Sequence, residues 1–166
     1  NNLKQTLTEE QKANHPARYA LVEFNNIYDD GIYFEPIYRF VFGVDVDKFI
    51  DGLKSIDGGK MKVYADGKET CYDGKNSLPE GIRSVDAFVK QYLIENGGTV
   101  DYVHGESNIK KLVDDRNDAI GKYYNKLDKT EILKYVSANG ANQRKTFSMG
   151  EGIEKRYYLE GRRITK

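Results

Sequence analysis

Near the end of this chain, Arg144-Lys145-Thr146-Phe147-Ser148-Met149-Gly150-Glu151 is followed closely by Glu154-Lys155-Arg156-Tyr157-Tyr158. Cationic donors, two hydroxyls, glycines and carboxylates fall within one strand-turn-strand length of chain. Guanidinium and ammonium groups with hydroxyls beside them satisfy the oxygens of a phosphate or carboxylate. The same composition suits a solvated edge hairpin, and residue chemistry leaves both readings open. A second candidate lies in Asp101-Tyr102-Val103-His104-Gly105-Glu106, where a strand is expected to meet a helix. Ligands bind at that edge of open α/β sheets, and an imidazole there serves as general acid or base, or as an oxyanion donor. His15, before Pro16, reads more simply as a residue that caps or bonds the backbone. In Glu35-Pro36-Ile37-Tyr38-Arg39 the spacing of four puts Glu35 and Arg39 on one face of a strand. Either they form a surface ion pair, or Glu35 holds Arg39 towards a cleft.

Other chemistries are excluded by what is missing. Two histidines and one cysteine do not make a four-ligand zinc site. The sequence contains no Gly-x-x-x-x-Gly-Lys-Ser/Thr, no Gly-x-Gly-x-x-Gly and no Gly-x-Ser-x-Gly pattern. The formal net charge is zero, so a general attraction to nucleic acid or to an anionic membrane is not expected. No apolar run approaches a membrane span and no signal-peptide pattern opens the chain. The lone Cys71 excludes an internal disulfide and fits a reduced, cytoplasmic setting. Thirteen tyrosines take over part of the work of the aliphatic core. Many are expected half-buried, with the phenol tip at a layer edge.

These groups need a scaffold. At 166 residues the chain has the size of one domain, taken here as 1–166. Thr8 and Gln11 form a capping box for a helix to about Asn14, which His15-Pro16 ends. Arg18 to Ile27 reads as an apolar, central strand, and Ile32 to Phe42 as its hairpin partner across Asp29-Asp30-Gly31. Pro36 marks an irregular place in the second strand. Asp45 caps a helix with Val46, Phe49, Ile50 and Leu53 on one face. Met61–Tyr64 and Thr70–Tyr72 make a small exposed hairpin inside a region, 57–80, expected to be a mobile excursion. Ser84 is expected to cap a helix with Val85, Phe88, Val89, Tyr92 and Leu93 as its apolar stripe, ended by Gly97. A strand over Thr99–Val103, a helix around Ile109, Leu112 and Val113, a strand over Ala119–Tyr124 and a helix from Asp128 to Gly140 follow. Thr146–Met149 and Arg156–Ile164 complete the sheet. The fold class expected is α/β (α+β), a mixed and partly antiparallel sheet flanked by helices.

Several of these segments carry a resemblance. His15-Pro16-Ala17-Arg18-Tyr19-Ala20-Leu21-Val22-Glu23, Phe34-Glu35-Pro36-Ile37, Val41-Phe42-Gly43-Val44-Asp45, Val100-Asp101-Tyr102-Val103-His104-Gly105 and the Arg144–Glu160 stretch resemble, in order and spacing, the C-terminal half of the bacterial domain-of-unknown-function family 1015. The resemblance spans nearly the whole chain and carries no established reaction. Family members are about twice as long or more, so it implies a fragment whose partner is a missing N-terminal half. That half ends in an Asp-Gly-Asn-His type motif similar to the one in free-serine kinases of the ParB/sulfiredoxin-like superfamily. Two positions depart from the family: Tyr38 stands where members often have His, and Gly152-Ile153 where they often have Ala-His. Arg39, His104, Arg144, Lys145, Ser148, Lys155 and Arg156 match.

The reading that follows is the ligand-binding half of a cytoplasmic bacterial enzyme, kinase-like in its chemistry, that handles a phosphorylated or carboxylated small molecule. Arg39, Arg144, Lys145, Lys155 and Arg156 would neutralise the anion, Thr146 and Ser148 would add hydroxyl bonds, and His104 would move the proton. The alternative is a non-catalytic interaction or dimerisation domain, marked by an exposed apolar patch near residues 1–25. A weaker third reading is RNA binding through the Tyr- and Arg-rich stretch 156–163. No metal site is expected, and no particular cofactor follows from the sequence.

Overall fold

A computed structural model describes residues 6–20, 22, 24–26, 28–124 and 128–150. The chain divides into two compact units, one formed by Asn1–Asp29 with Arg156–Lys166 and the other by Asp30–Lys155.

In the first unit, helix α1 (Glu9–Asn14) carries the expected capping box, with Thr8 and Gln11 bonding each other's backbone N–H. His15 then plays the backbone role expected of it. Its Nδ1 accepts from Ala17 N at 3.1 Å and opens a single 3-10 turn, Pro16–Arg18. The central strand expected over Arg18 to Ile27 does not form among the described residues. Arg18 belongs to the 3-10 turn, the other described positions are not in strand, and Tyr19, Val22 and Phe24 are exposed, Phe24 at 85%.

The second unit is α+β, with antiparallel sheets flanked by helices. Its strands are β1 (Phe34–Pro36), β2 (Tyr38–Phe42), β3 (Met61–Ala65), β4 (Lys68–Tyr72), β5 (Thr99–Val103), β6 (Ala119–Tyr124) and β7 (Phe147–Met149). Its helices are α2 (Val46–Lys54), α3 (Leu78–Asn96), α4 (Glu106–Asp114) and α5 (Lys129–Asn139). Five strands form one sheet in the order β4-β3-β6-β2-β5, and β1 with β7 forms a separate ribbon. Every described pairing is antiparallel, more uniform than the mixed sheet expected. The long Ile32–Phe42 strand is broken at Ile37, just after Pro36, which has no N–H for a ladder.

The main sheet has a core on each face. On one, α2 and α3 cover Val41, Val63, Ile120 and Tyr124, and Phe49 packs edge-on against Phe88 and Tyr92. On the other, α4 covers Phe40, Ala119 and Tyr123 with Ile109 and Val113. Gly121 lets α4 approach, since a Cβ there would stand 3.0 Å from Ile109 Cγ1. Two expectations are corrected. The 61–72 hairpin is not a small exposed one, because β3 lies inside the sheet between β4 and β6 with Met61, Val63 and Ala65 buried. Helix α3 starts after Ser77, not Ser84, because Ser77 and Glu80 form a capping box with Pro79 in the first turn. Among the described residues no helix is long and apolar enough to cross a membrane.

Candidate functional site

The sheet face under α3 carries polar groups at its β5 side. Arg39 on β2 and Tyr102 on β5 are cross-strand partners, and Arg39 is also the partner of Lys122 on β6. The Arg39 guanidinium is fully buried. Its Nε and Nη2 donate to the two carboxylate oxygens of Asp86 on α3, at 2.9 and 2.7 Å. Its Nη1 donates to the carbonyls of Ile37 (2.7 Å) and Lys145 (2.9 Å). The rings of Tyr102 and Tyr124 lie 5.4 and 5.7 Å from its Cζ. This corrects the reading of Arg39 as an open anion ligand. Four of its five N–H donors are spent inside the fold, and its charge is matched by Asp86. It is also not Glu35 that holds it.

Beside this pair opens a groove of about 570 Å³. Arg83, Asp86, Ala87, Val89 and Lys90 of α3 form one wall, Val100 and Tyr102 of β5 the floor, and Gln143 and Arg144 the loop before β7 close it. Arg83 donates to the hydroxyl of Tyr135, a neutral partner. No carboxylate of the described residues pairs with Arg83, Lys90 or Arg144. The groove's own carboxylate, Asp86, is already matched by Arg39. Arg83, Lys90 and Arg144 are thus solvent-exposed cations around a space whose lining has Asp86 as its one carboxylate.

Strand alternation puts Val100 and Tyr102 on this face, whereas His104 follows the end of β5 and is not among the residues that line the groove. Its Nδ1 meets Glu35 Oε2 at 3.0 Å. When Nδ1 carries the proton it donates to Glu35, and Nε2 is left as the basic nitrogen. The imidazole is 43% exposed and the carboxylate 16%, so the carboxylate is sheltered and the ring is reachable. Gly105, at φ +83°, turns the chain into α4, and Asn108 ties back to the His104 carbonyl at 2.9 Å. Tyr38, where the resembled family often has His, points to the other face and packs on Tyr123. Burial, and then the charge of Glu106, push its phenol pKa upward.

The loop before β7 supplies some of the groups expected of it and withholds others. Arg144 lines the groove. Lys145 is exposed and takes a left-handed backbone (φ +59°) that turns its carbonyl to Arg39. Thr146 is a correction: it is buried, its Oγ1 donates to the Gln143 carbonyl at 2.6 Å, and it closes a turn rather than facing a ligand. Ser148 is the cross-strand partner of Glu35, so the two share a side of the ribbon. Lys155 and Arg156, like the strand expected at Arg156–Ile164, lie outside the described residues. The sequence reading missed Arg83, Asp86, Lys90 and Gln143. Arg83, Asp86 and Lys90, at i, i+3 and i+7, form a polar stripe on α3 beside its apolar one, and this spacing was the signal available.

Among solved structures the chain is similar to a conserved hypothetical protein from Pyrococcus furiosus, with a TM-score of 0.60 and 15% identity over 77% of this chain and 60% of that one. It is also similar to a free serine kinase, a point mutant in complex with AMP, with a TM-score of 0.60 and 13% identity over 76% of this chain and 57% of that one. The shared feature is the fold, and the chain spans about three fifths of the length of either structure. No family model matches the chain, and no curated protein does. The resemblance to family 1015 accordingly rests on the quoted segments alone.

Proposed function

We propose that this chain is the anion-binding part of an enzyme acting on a phosphorylated or carboxylated small molecule, with kinase-like chemistry. One observation carries the reading: Arg83, Lys90 and Arg144 border a groove whose single carboxylate is already neutralised from inside. Unpaired cations against a partly apolar wall favour an oxyanion, because its charge-assisted hydrogen bonds replace the lost hydration. Arg39 becomes the positioning group that holds Asp86 and the Lys145 carbonyl. His104 is the proton-transfer group and Glu35 orients its ring. In phosphoryl transfer, the attacking hydroxyl gives its proton to Nε2 as its oxygen bonds to phosphorus, and the bond to the leaving phosphate oxygen breaks. Such a step needs mainly positioning and charge stabilisation, which these residues supply. Ser148 would add a hydroxyl beside Glu35, and Lys145, Lys155 and Arg156 would add charge. The AMP held by the free serine kinase supports a nucleoside phosphate as the first ligand to try.

The experiment is a thermal-shift series with AMP, ADP and inorganic phosphate at low salt. A ligand at a hundred times its Kd stabilises by about 2.7 kcal/mol, a readily measured shift. The expected result is a rise in Tm that added salt weakens. No shift at millimolar concentrations with any of the three rejects the reading.

The alternative, an interaction domain, has its own observation. Tyr19, Val22, Phe24 and Tyr28 of the first unit are exposed at 56–85%. A contiguous exposed apolar patch marks a surface that another protein covers, and these four side chains are the candidates for one. Size exclusion across a hundredfold range of concentration tests this. A dimer lost on Phe24→Ser supports it, and a monomer throughout removes self-association as the explanation.

A further inference from the structure

Lys122 in the middle of β6 has no evident use in the groove just described. It is 2% exposed, and its Nζ has no hydrogen-bond partner. The amine lies 3.0 Å from the centre of the Tyr124 ring, whose own hydroxyl is also buried and without a partner. Arg39 is its cross-strand partner on β2 and the uncharged Val63 its partner on β3, and the charge of Asp86 on α3 also acts on it. Burial and then the Arg39 charge hold its pKa well below the ordinary lysine range, and only Asp86 opposes them. Asp86 is already committed to Arg39. An amine in such a place costs the fold free energy, and a methionine would fill the same space without that cost. Buried polar atoms without partners are few in native proteins, and each asks for a reason.

Asp86 supplies one, because it lines the groove, holds the Arg39 that stands opposite Lys122, and acts on Lys122 through its charge. We propose that Lys122 makes the groove select phosphate monoesters, as dianions, over monoanions, by gaining a solvent proton when the dianion lodges beside Asp86. The balance is simple: the amine and one proton from solvent become an ammonium, and no other bond changes. In the empty groove burial, and then the positive field of Arg39, work against the proton. A dianion beside Asp86 reverses that field behind a low-dielectric wall, and a monoanion adds half as much. The inference rests on the groove being the anion site.

The test is a calorimetric titration of the protein with AMP at pH 8, where its phosphate is a full dianion. It is run in two buffers with different heats of ionisation. The comparison ligand is the methyl phosphodiester of AMP, a monoanion. The wild type is expected to take up a measurable fraction of a proton per AMP and almost none with the diester. Lys122→Met should lose the uptake and bind AMP about 5- to 150-fold more weakly, the usual range for a coupling between two sites. It should bind the diester unchanged. Lys122→Gln serves if the Met variant fails to fold, and the wild-type measurement needs no variant. Uptake of zero in the wild type, uptake retained without Lys122, or uptake lost in His104→Gln overturns the inference while the groove reading stands. An absence of AMP binding overturns both.

Discussion

The two faces of the main sheet handle charge in opposite ways. Under α4, Glu69 accepts from Lys62, Lys110 and the Tyr123 hydroxyl at 2.9–3.0 Å. Lys110 also pairs with Glu106. Those donors hold the Glu69 carboxyl down to about 2, the Lys62 bond foremost. Every charge in that cluster has a partner within the fold, so the cluster is closed and structural. Under α3 the Arg39–Asp86 pair is closed, but the residues around it are not. Among the described residues Arg83, Lys90 and Arg144 form no ion pair with a carboxylate, and Lys122 Nζ has no hydrogen-bond partner, only the ring of Tyr124 against it. Arg83, Lys90 and Arg144 are exposed to solvent, and it is on this face that we propose an anion binds.

The contrast breaks first at Arg39. Arg39→Ala would strand Asp86 and two carbonyls, and is expected to cost about 3–5 kcal/mol in urea unfolding, as for one partner of a buried ion pair. A loss below about 1 kcal/mol would mean that the pair is not the inner wall assumed here. Next comes Arg144→Ala, which should weaken AMP about 10- to 100-fold, the worth of a charge-assisted contact of about 1.5–3 kcal/mol, with unfolding nearly unchanged. An equal loss of stability would make Arg144 a structural cation like Arg39.

Lys122→Met sharpens the comparison further, because it should leave the ligand-free protein as stable or more stable. The sign follows from linkage. The folded pKa lies below the unfolded one, so the stability of Lys122 is complete above about pH 10.4 and declines as pH falls. Urea midpoints of the wild type should rise from pH 7 to pH 10, and the variant should lose part of that rise. The smallest effect belongs to the closed cluster. Glu69 has a depressed folded pKa, so its contribution is full above the ordinary glutamate range and is lost as pH falls from about 4.5 towards 2. Glu69→Gln should flatten part of the acid limb of Tm against pH and leave AMP binding untouched.

Much of the fold was legible. The Asp45, Asp128 and Thr8 caps, the Gly97 and Gly140 stops and the Asp66-Gly67 turn are local signals, and each does its expected work. The strand expected from Arg18 to Ile27 shows the limit of such signals. An apolar run records what wants burial, and not whether a partner is present to bury it. The start of α3 was misplaced because Ser84 looks like a cap, whereas Ser77 has Glu80 to complete the box and Pro79 beside it. Of the site, Arg144 and His104 were legible by residue type. The roles of Arg39 and Glu35 were not, because each is decided by a partner 47 and 69 residues away. Nothing in the sequence sets Lys122 apart from other strand lysines, and only its burial in the folded sheet makes it unusual.

The central claim is that Arg83, Lys90 and Arg144 form a binding surface. A calorimetric titration of AMP into the wild type and into the triple variant Arg83→Ala, Lys90→Ala, Arg144→Ala, at low salt, tests it most directly. The account predicts binding by the wild type that weakens as salt rises, and none by a triple variant that still unfolds cooperatively. Equal affinity in the two proteins, or no heat from either, would contradict it.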